Sequence, residues 1–133
     1  MILLVEDDPA DVELTLRALK AINLANRIHV VRDGAEALDF LRTVRQRPKV
    51  VLLDLKLPKV SGIEVLREIR QDPRNKLMPV VVMTSSREEP DMAACYALGV
   101  NSYIVKPVEF EGFAKAVADV GLYWMLLNQV PSL

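Results

Sequence analysis

Cysteine, histidine and excess charge are scarce in this sequence, and each scarcity excludes a class of protein. The 133 residues include one cysteine and one histidine, so neither an internal disulfide nor a histidine-rich metal site can form. Seventeen basic residues balance eighteen acidic ones, and this balance indicates no nucleic-acid partner. No apolar run approaches the roughly 18 residues that a membrane span needs, so we expect no membrane partner.

The location expected from these absences is the cytoplasm. A single cysteine fits a reducing compartment. The opening residues, MILLVEDD, carry no positive side chain, which is not typical of a signal peptide. Hydrophobic residues make up 51% of the chain, and a chain of this length can bury enough of them to form a folded core. We expect one domain over residues 1–133.

Five short apolar runs alternate with amphipathic stretches. The runs cover residues 2–5, 28–31, 50–53, 80–83 and 103–105. They are apolar at successive positions, which is typical of strands buried on both faces of a parallel sheet. Each is followed by apolar residues at helical spacing, so the chain reads as five strand-helix units. The predicted fold class is α/β, a doubly wound five-stranded parallel sheet in a three-layer sandwich.

Polar side chains follow four of the five predicted strands. Glu6 and Asp7 follow the first, Asp54 the third, Thr84 the fourth and Lys106 the fifth. Because ligands bind beyond the carboxyl ends of parallel strands, we expect these side chains to meet at one edge of the sheet. Polar strand ends explain each residue singly, but they explain the whole set poorly.

The three carboxylates of this set, Glu6, Asp7 and Asp54, predict a metal site. Two like charges about 4 Å apart cost about 4 kcal/mol at an effective dielectric of about 20, so the cluster should raise a pKa or bind a cation. Oxygen ligands alone select Mg²⁺, or Mn²⁺. Asp8, the next residue, is expected to cap a helix rather than bind the metal directly.

The remaining side chains add phosphoryl chemistry to the predicted metal site. The ammonium of Lys106 would hold phosphate oxygens, and the hydroxyl of Thr84 would donate to the same group. Asp54 is the predicted nucleophile, because an aspartate can accept a phosphoryl group as an acyl phosphate. These parts supply the positioning and charge neutralisation that phosphoryl transfer needs.

With these residues in place, the chain resembles the receiver domains of two-component response regulators, the CheY-like family. The matching segments are LLVEDDP, VVLLDLKLPKVSG, PVVVMTSS and NSYIVKP, and together they cover nearly all of the chain. The words TLRAL, DGAEALDFL and YWMLLNQVP are similar to the Rcp-type single-domain regulators, which pair with phytochrome histidine kinases. One departure is a longer stretch between Asp7 and Asp54, where residues 42–49 would extend a helix or loop.

The resemblance implies roles for the acidic residues. Asp54 would be the phosphoacceptor. Asp7 would bind Mg²⁺ directly, whereas Glu6 would act largely through water. The backbone carbonyl of Lys56 would be a further metal ligand, and its side chain would tune hydrolysis of the phosphorylated form.

The resemblance also implies a conformational switch. Thr84 would move toward the phosphoryl group, and Tyr103 would act as the switch aromatic. Ser86 would tune hydrolysis, and Lys106 would contact the phosphoryl group. The bond from Lys106 to Pro107 is expected to be cis on this resemblance.

The function that follows is a response regulator that accepts a phosphoryl group from a histidine kinase, here a bacteriophytochrome. It would signal to an unidentified downstream protein by changing its binding surface, and its only catalysis would be slow self-phosphorylation and self-dephosphorylation. Two alternatives are an unphosphorylated receiver-like binding module and a Mg²⁺-dependent phosphatase with an aspartyl nucleophile. Lys56 counts against the phosphatase, because such enzymes usually place a second aspartate at that position.

A final feature is an apolar run near the end of the chain. Its members are Leu122, Tyr123, Trp124, Met125, Leu126 and Leu127. A helix over this run is apolar on every side, so one side must meet water or a partner. We expect the run, with Val130 and Pro131, to form a homodimer contact; the alternative is that the tail packs on its own domain.

Overall fold

The computed structural model describes residues 1–107, 109–129 and 131. Five strands form one sheet in the order β2-β1-β3-β4-β5, and all neighbouring strands are parallel. They are β1 (Ile2–Val5), β2 (Ile28–Val31), β3 (Val50–Leu53), β4 (Val80–Thr84) and β5 (Ser102–Val105). The predicted doubly wound α/β fold is confirmed. The last two strands are each one residue longer than their apolar runs, since Thr84 and Ser102 also pair in the ladder.

Five helices cover the two faces of the sheet. They are α1 (Pro9–Ala21), α2 (Gly34–Thr43), α3 (Gly62–Gln71), α4 (Glu89–Ala97) and α5 (Phe110–Leu122). A short 3₁₀ turn (Ala25–Arg27) precedes β2, and a π-helical turn (Tyr123–Leu127) follows α5. Of the stretch 42–49, residues 42 and 43 end α2, and residues 44–49 form an irregular loop before β3. No helix among the described residues combines the length and apolar character needed to cross a membrane.

The two faces of the sheet bury two separate cores. Leu3, Val5 and Leu53 contact the core beneath α2, α3 and α4. Leu4 and Leu52, one position along the same strands, contact the core beneath α1 and α5. This alternation explains why β1 and β3 are apolar at every position, because each buried side chain contributes about 1.5–3 kcal/mol.

Side-chain caps begin two of the helices close to strand ends. Asp8 accepts a hydrogen bond from the amide of Ala10 at 2.9 Å, so it is the N-cap of α1, as predicted. Asp33 caps α2 through the amide of Glu36 at 2.8 Å. Because β1 ends at Val5 and α1 begins at Pro9, only the turn 6–8 separates them. This turn carries the acidic residues to the edge of the sheet.

Gly62 lets α3 begin directly against the loop that follows β3. A Cβ atom at this position would lie 2.2 Å from the carbonyl oxygen of Asp54 and 2.6 Å from the Cα of Leu55. Both neighbours are backbone atoms, which cannot give way as a flexible side chain can. The loop after Asp54 therefore packs closely only because residue 62 has no side chain.

Candidate functional site

Three predicted site residues are held in place by an extension of the sheet's hydrogen bonding. Beyond the strand ends, the amide of Glu6 donates to Val31 at 3.1 Å, and the amide of Asp54 donates to Val5 at 3.1 Å. The amide of Lys106 donates to the carbonyl of Thr84 at 2.8 Å. The backbone positions of these residues are consequently set by the sheet rather than by mobile loops.

The ammonium of Lys106 lies at the centre of the site. Its Nζ donates to Glu6 Oε1 at 2.6 Å, to Asp54 Oδ2 at 2.9 Å and to Asp11 Oδ2 at 2.8 Å. Three donors on one ammonium thus meet three carboxylates. The side chain of Lys106 is only 11% exposed, so these ion pairs are poorly screened by solvent.

Asp11 is a member of the site that sequence reasoning missed. It lies in the first turn of α1, not at a strand end, and a search of strand ends overlooks it. The signal was present, because the helix begins at the sheet edge and its first turn must lie over that edge. An acidic residue in that turn, besides the cap Asp8, pointed to the site.

Asp54 is held in one orientation by both of its carboxylate oxygens. Oδ1 accepts from the amide of Leu55 at 2.7 Å and from the amide of Lys56 at 3.4 Å. Oδ2 accepts from Lys106 at 2.9 Å. The residue is 9% exposed, so it lies just below the surface. These hydrogen bonds orient the Asp54 carboxylate, which lies close to the carboxylate of the exposed residue Asp7.

The site sets the pKa values of its carboxylates apart. Burial raises the pKa of Glu6 to about 7, and the negative charge of Asp54 adds to this rise against the opposing hydrogen bond from Lys106. Burial also opposes ionisation of Asp54, but the hydrogen bond and charge of Lys106 outweigh it and hold the pKa of Asp54 below its ordinary value. At neutral pH Asp54 is therefore ionised, while Glu6 is close to half protonated.

Lys106 stays charged in spite of its burial. Desolvation alone would lower its pKa, but hydrogen bonds to Asp11, Glu6 and Asp54 raise the pKa above the ordinary lysine value. The ammonium is therefore a permanent positive charge at this edge of the sheet.

Glu6, Asp7 and Asp54 form a carboxylate cluster suited to a cation. Each offers one oxygen, and these oxygens lie within 4.8 Å of one another. All three are hard oxygen ligands, which suit Mg²⁺ or Mn²⁺. Asp8 is outside this cluster. Lys56 lies two residues after Asp54, and the ligand role of its carbonyl stays a prediction.

The predicted switch residues form a chain of contacts that leads away from the site. Thr84 is fully buried, and its Oγ1 accepts from the amide of Ser86 at 3.3 Å. The hydroxyl of Tyr103 donates to the Ser86 carbonyl at 3.0 Å, and Ser86 Oγ donates to Asp91 Oδ2 of α4 at 2.6 Å. Ser86 therefore joins the end of β4 to both β5 and α4.

Two expectations near the site need correction or restriction. No peptide bond between described residues is cis, so the predicted cis bond from Lys106 to Pro107 is wrong. A trans bond is the intrinsically favoured form by about 0.5–1 kcal/mol. The second expectation is the homodimer contact that includes Val130 and Pro131. Val130 lies outside the described residues, and Pro131 is exposed.

The apolar run at the end of α5 has one buried and one open side. Met125 is 3% exposed, whereas Tyr123, Leu126 and Leu127 are 48%, 55% and 69% exposed. The amide of Asn128 donates to the carbonyl of Tyr123 at 2.7 Å, which closes the π-helical turn. Most of the apolar side chains in this run are therefore exposed to solvent.

The fold and the site define a class of protein. The family described as the response regulator receiver domain matches this chain over residues 2–118. The chain therefore belongs to the response regulator receiver domain family.

Two relatives match over almost the full length. The probable methanogenesis regulatory protein FilR2 of Methanothrix harundinacea is 43% identical over 135 residues, which cover 98% of this chain and 87% of FilR2. Response regulator Rcp1 of Synechocystis sp. is 39% identical over 137 residues, which cover 99% of this chain and 93% of Rcp1.

Three solved structures share the fold. The phosphorylated cyanobacterial phytochrome response regulator RcpA is 40% identical, with a TM-score of 0.92 and coverage of 98% of this chain and 97% of RcpA. The Mn²⁺-bound form of Rcp1 is 38% identical, with a TM-score of 0.89 and coverage of 98% of each chain. The bacteriophytochrome response regulator AtBRR is 53% identical, with a TM-score of 0.74 and coverage of 96% of each chain. The chain is thus similar to phytochrome response regulators over nearly its whole length.

The raised pKa of Glu6 predicts a pH dependence of stability in the metal-free protein. In the folded state the carboxyl of Glu6 has a pKa of about 7, against an ordinary value of 4.5. The protonated carboxyl therefore stabilises the fold below about pH 4.5, and this contribution is lost as the pH rises through about 7. We expect the free energy of unfolding of the wild type to fall over this range, relative to Glu6→Gln, by a few kcal/mol.

Urea unfolding in EDTA across this pH range measures the difference. Glu13→Gln is the matched control, because Glu13 is an exposed glutamate on α1, and its curve should stay parallel to the wild type. A Glu6→Gln curve that also runs parallel to the wild type would contradict the assignment.

Proposed function

We propose that Asp54 is the phosphoacceptor of this response regulator. The observation that carries the proposal is the contact of Lys106 Nζ with Asp54 Oδ2 at 2.9 Å, beside two further acidic side chains. The carboxylate is ionised and oriented, as a nucleophile must be. The ammonium lies where a phosphoryl oxygen would need a positive partner.

The reaction is an in-line transfer from a phosphohistidine of a kinase. A carboxylate oxygen of Asp54 forms the new P–O bond while the P–N bond to the donor imidazole breaks, and the imidazole leaves with its electron pair. Lys106 would release one of its three carboxylates to contact the incoming phosphoryl oxygens. Thr84, whose side chain also helps to lower the pKa of Asp54, would donate its hydroxyl to the same group.

A divalent cation completes the site in this proposal. Glu6, Asp7 and Asp54 would hold it, with the carbonyl of Lys56 as a further ligand. When bound, the cation supplies positive charge against the transferred phosphoryl oxygens. Mg²⁺ is the proposed ion, because it prefers one or two carboxylates together with phosphate and water. The Mn²⁺-bound structure of the relative Rcp1 supports a divalent ion of this kind.

Phosphorylation would be read out through the contacts of Ser86. A movement of Thr84 toward the phosphoryl group would pull on the Ser86 amide that it accepts from. Ser86 also contacts Tyr103 and Asp91, so the change would reach β5 and α4 together. A downstream protein would then meet a different surface. Lys56 and Ser86 are further proposed to tune the slow hydrolysis of the phosphorylated form.

The proposed donor is a bacteriophytochrome histidine kinase in the cytoplasm. The similarity to AtBRR at 53% identity and to RcpA at 40% identity supports this assignment, since both are phytochrome response regulators. The kinase would supply the phosphohistidine, and this chain would supply the aspartate and its pocket.

The first test is phosphorylation of wild type and Asp54→Asn. With Mg²⁺ and either acetyl phosphate or the phosphorylated kinase, the wild type should gain one phosphoryl group by intact mass. Asp54→Asn should gain none, because an amide is no nucleophile for this transfer. Asp39→Asn is the matched control, since Asp39 is an exposed aspartate on α2, and it should behave as wild type.

Other results identify the alternatives. A wild type that gains no phosphoryl group from either donor would favour the unphosphorylated binding module. Sustained release of phosphate from small metabolites, lost in Asp54→Asn, would favour the phosphatase. A phosphoryl group that persists in Asp54→Asn would refute Asp54 as the acceptor.

We also propose that the apolar surface at the end of α5 forms a homodimer contact. Leu122, Tyr123, Leu126 and Leu127 are all at least 36% exposed, and they lie together on α5 and its π-helical turn. Apolar side chains clustered in this way gain free energy when a second surface covers them. Tyr123 and the half-buried Trp124, packed edge to face with ring centroids 5.1 Å apart, suit the centre of such a contact.

Charge placed on this surface should prevent association. We expect Leu126→Lys combined with Leu127→Lys to weaken dimerisation at least tenfold, as measured by sedimentation equilibrium. Phe110→Lys is the matched control, because Phe110 is 52% exposed at the other end of α5. A wild type that stays monomeric at high micromolar concentration, with and without phosphorylation, would refute the dimer.

A further inference from the structure

A pocket rich in basic side chains lies at the amino-terminal edge of the sheet, opposite the candidate functional site. Pro48 and Lys49 directly precede β3, and Met78 and Pro79 directly precede β4. Strands of four residues span about 13 Å, so β3 separates this pocket from Asp54. The cavity has a volume of about 310 Å³. That size lies in the range of small-molecule sites.

The charge of this pocket, here called the basic pocket, has one sign. Four basic side chains line it, and none of its lining residues is acidic. The basic residues are Arg45, Arg47, Lys49 and Arg74, and the other lining residues are Pro48, Leu77, Met78, Pro79 and Pro131. Within the described part of the chain, none of the four cations forms an ion pair with a carboxylate. The Nε atom of Arg47 is buried and has no hydrogen-bond partner among the described residues. These features favour an anionic ligand, because an anion would relieve the mutual repulsion of the cations.

Two of the four cations are held in place by backbone carbonyls. Arg74 donates through Nη1 to the Arg42 carbonyl at 2.8 Å and through Nη2 to the Val44 carbonyl. Lys49 Nζ donates to the carbonyl of Met125 at 3.1 Å. A guanidinium has five N–H donors and an ammonium has three, so both groups keep donors for a ligand. Fixed cations bind an anion with a smaller loss of conformational entropy than mobile ones.

The rest of the lining is apolar, which restricts the kind of anion. Leu77, Met78 and three prolines form the other walls of the basic pocket. A bare inorganic anion would leave these walls uncovered. A guanidinium plane can stack on a flat ring, and it can also bind phosphate oxygens. Arginines beside apolar walls therefore match a ligand that has both a flat ring and phosphate groups. We propose that the basic pocket binds a nucleoside polyphosphate, with the phosphates on the cations and the base against the apolar walls.

Calorimetric titration of the full chain with ATP tests this proposal. EDTA removes divalent ions, so that ATP is not chelated and the carboxylate cluster holds no metal. ATP should bind at low salt, with pyrophosphate and adenosine each at least tenfold weaker. In two-dimensional NMR, the backbone amides that shift should be those of residues 45–47, 49, 77 and 78 rather than those of residues 84–86 and 106.

Two sets of variants separate a built pocket from general charge attraction. Arg45→Gln with Arg47→Gln, and separately Lys49→Gln, should each weaken ATP binding about tenfold or more. Arg17→Gln with Arg67→Gln removes the same charge from exposed positions on α1 and α3 and should leave binding unchanged. Equal weakening in both double variants would overturn the proposal. An absence of binding at millimolar ATP would also overturn it, as would pyrophosphate that binds as tightly as ATP. A poly-glutamate peptide that binds the protein while ATP fails to bind would overturn it too.

Discussion

The ammonium of Lys106 is the interaction on which the rest of the site depends. It meets Glu6, Asp11 and Asp54 at 2.6–2.9 Å in a largely buried setting. Without it, three negative groups would share one edge of an apolar sheet, and their burial and repulsion would cost several kcal/mol. With it, Asp54 stays ionised while part of the excess negative charge is relieved by a proton on Glu6. A cation at the carboxylate cluster would replace that proton, which links metal binding to the same balance of charge.

The parallel sheet makes this arrangement possible because its hydrogen bonding fixes the backbone position of each residue that follows a strand. The ladder between β1, β3 and their neighbours continues one residue past the strands, and that residue is Glu6 or Asp54. Close packing of α3 at Gly62 then holds the loop after Asp54 against the sheet. The buried strands thereby position a charged group that a loop alone would leave mobile. Family membership, shown by the match over residues 2–118, agrees with this use of the fold.

The strands and most of the candidate site were predictable, because both follow from short-range patterns. Apolar runs identified all five strands, although only β1, β3 and β4 are buried at every position. Residues that follow parallel strands must meet at one edge, as Glu6 and Asp54 do. Asp11 was missed because the search covered strand ends alone. The sequence places it in the first turn of α1, but which side of that turn faces the site depends on how α1 packs, which is a tertiary property. The predicted cis bond at Pro107 came from the resemblance alone, and it is wrong. The apolar run predicted an open surface, but composition does not reveal its π-helical turn, which is closed by the backbone hydrogen bond from Asn128 to Tyr123.

The charge balance around Lys106 can be measured by a double-mutant cycle with Asp11. Urea unfolding would be compared for wild type, Lys106→Met, Asp11→Asn and the double variant, in EDTA at neutral pH. Lys106→Met alone should destabilise the fold by about 3–5 kcal/mol, because it leaves buried carboxylates uncompensated. Adding Asp11→Asn should recover part of this loss, with a coupling energy of at least about 1 kcal/mol. Strictly additive effects of the two substitutions would contradict a site organised around one shared ammonium.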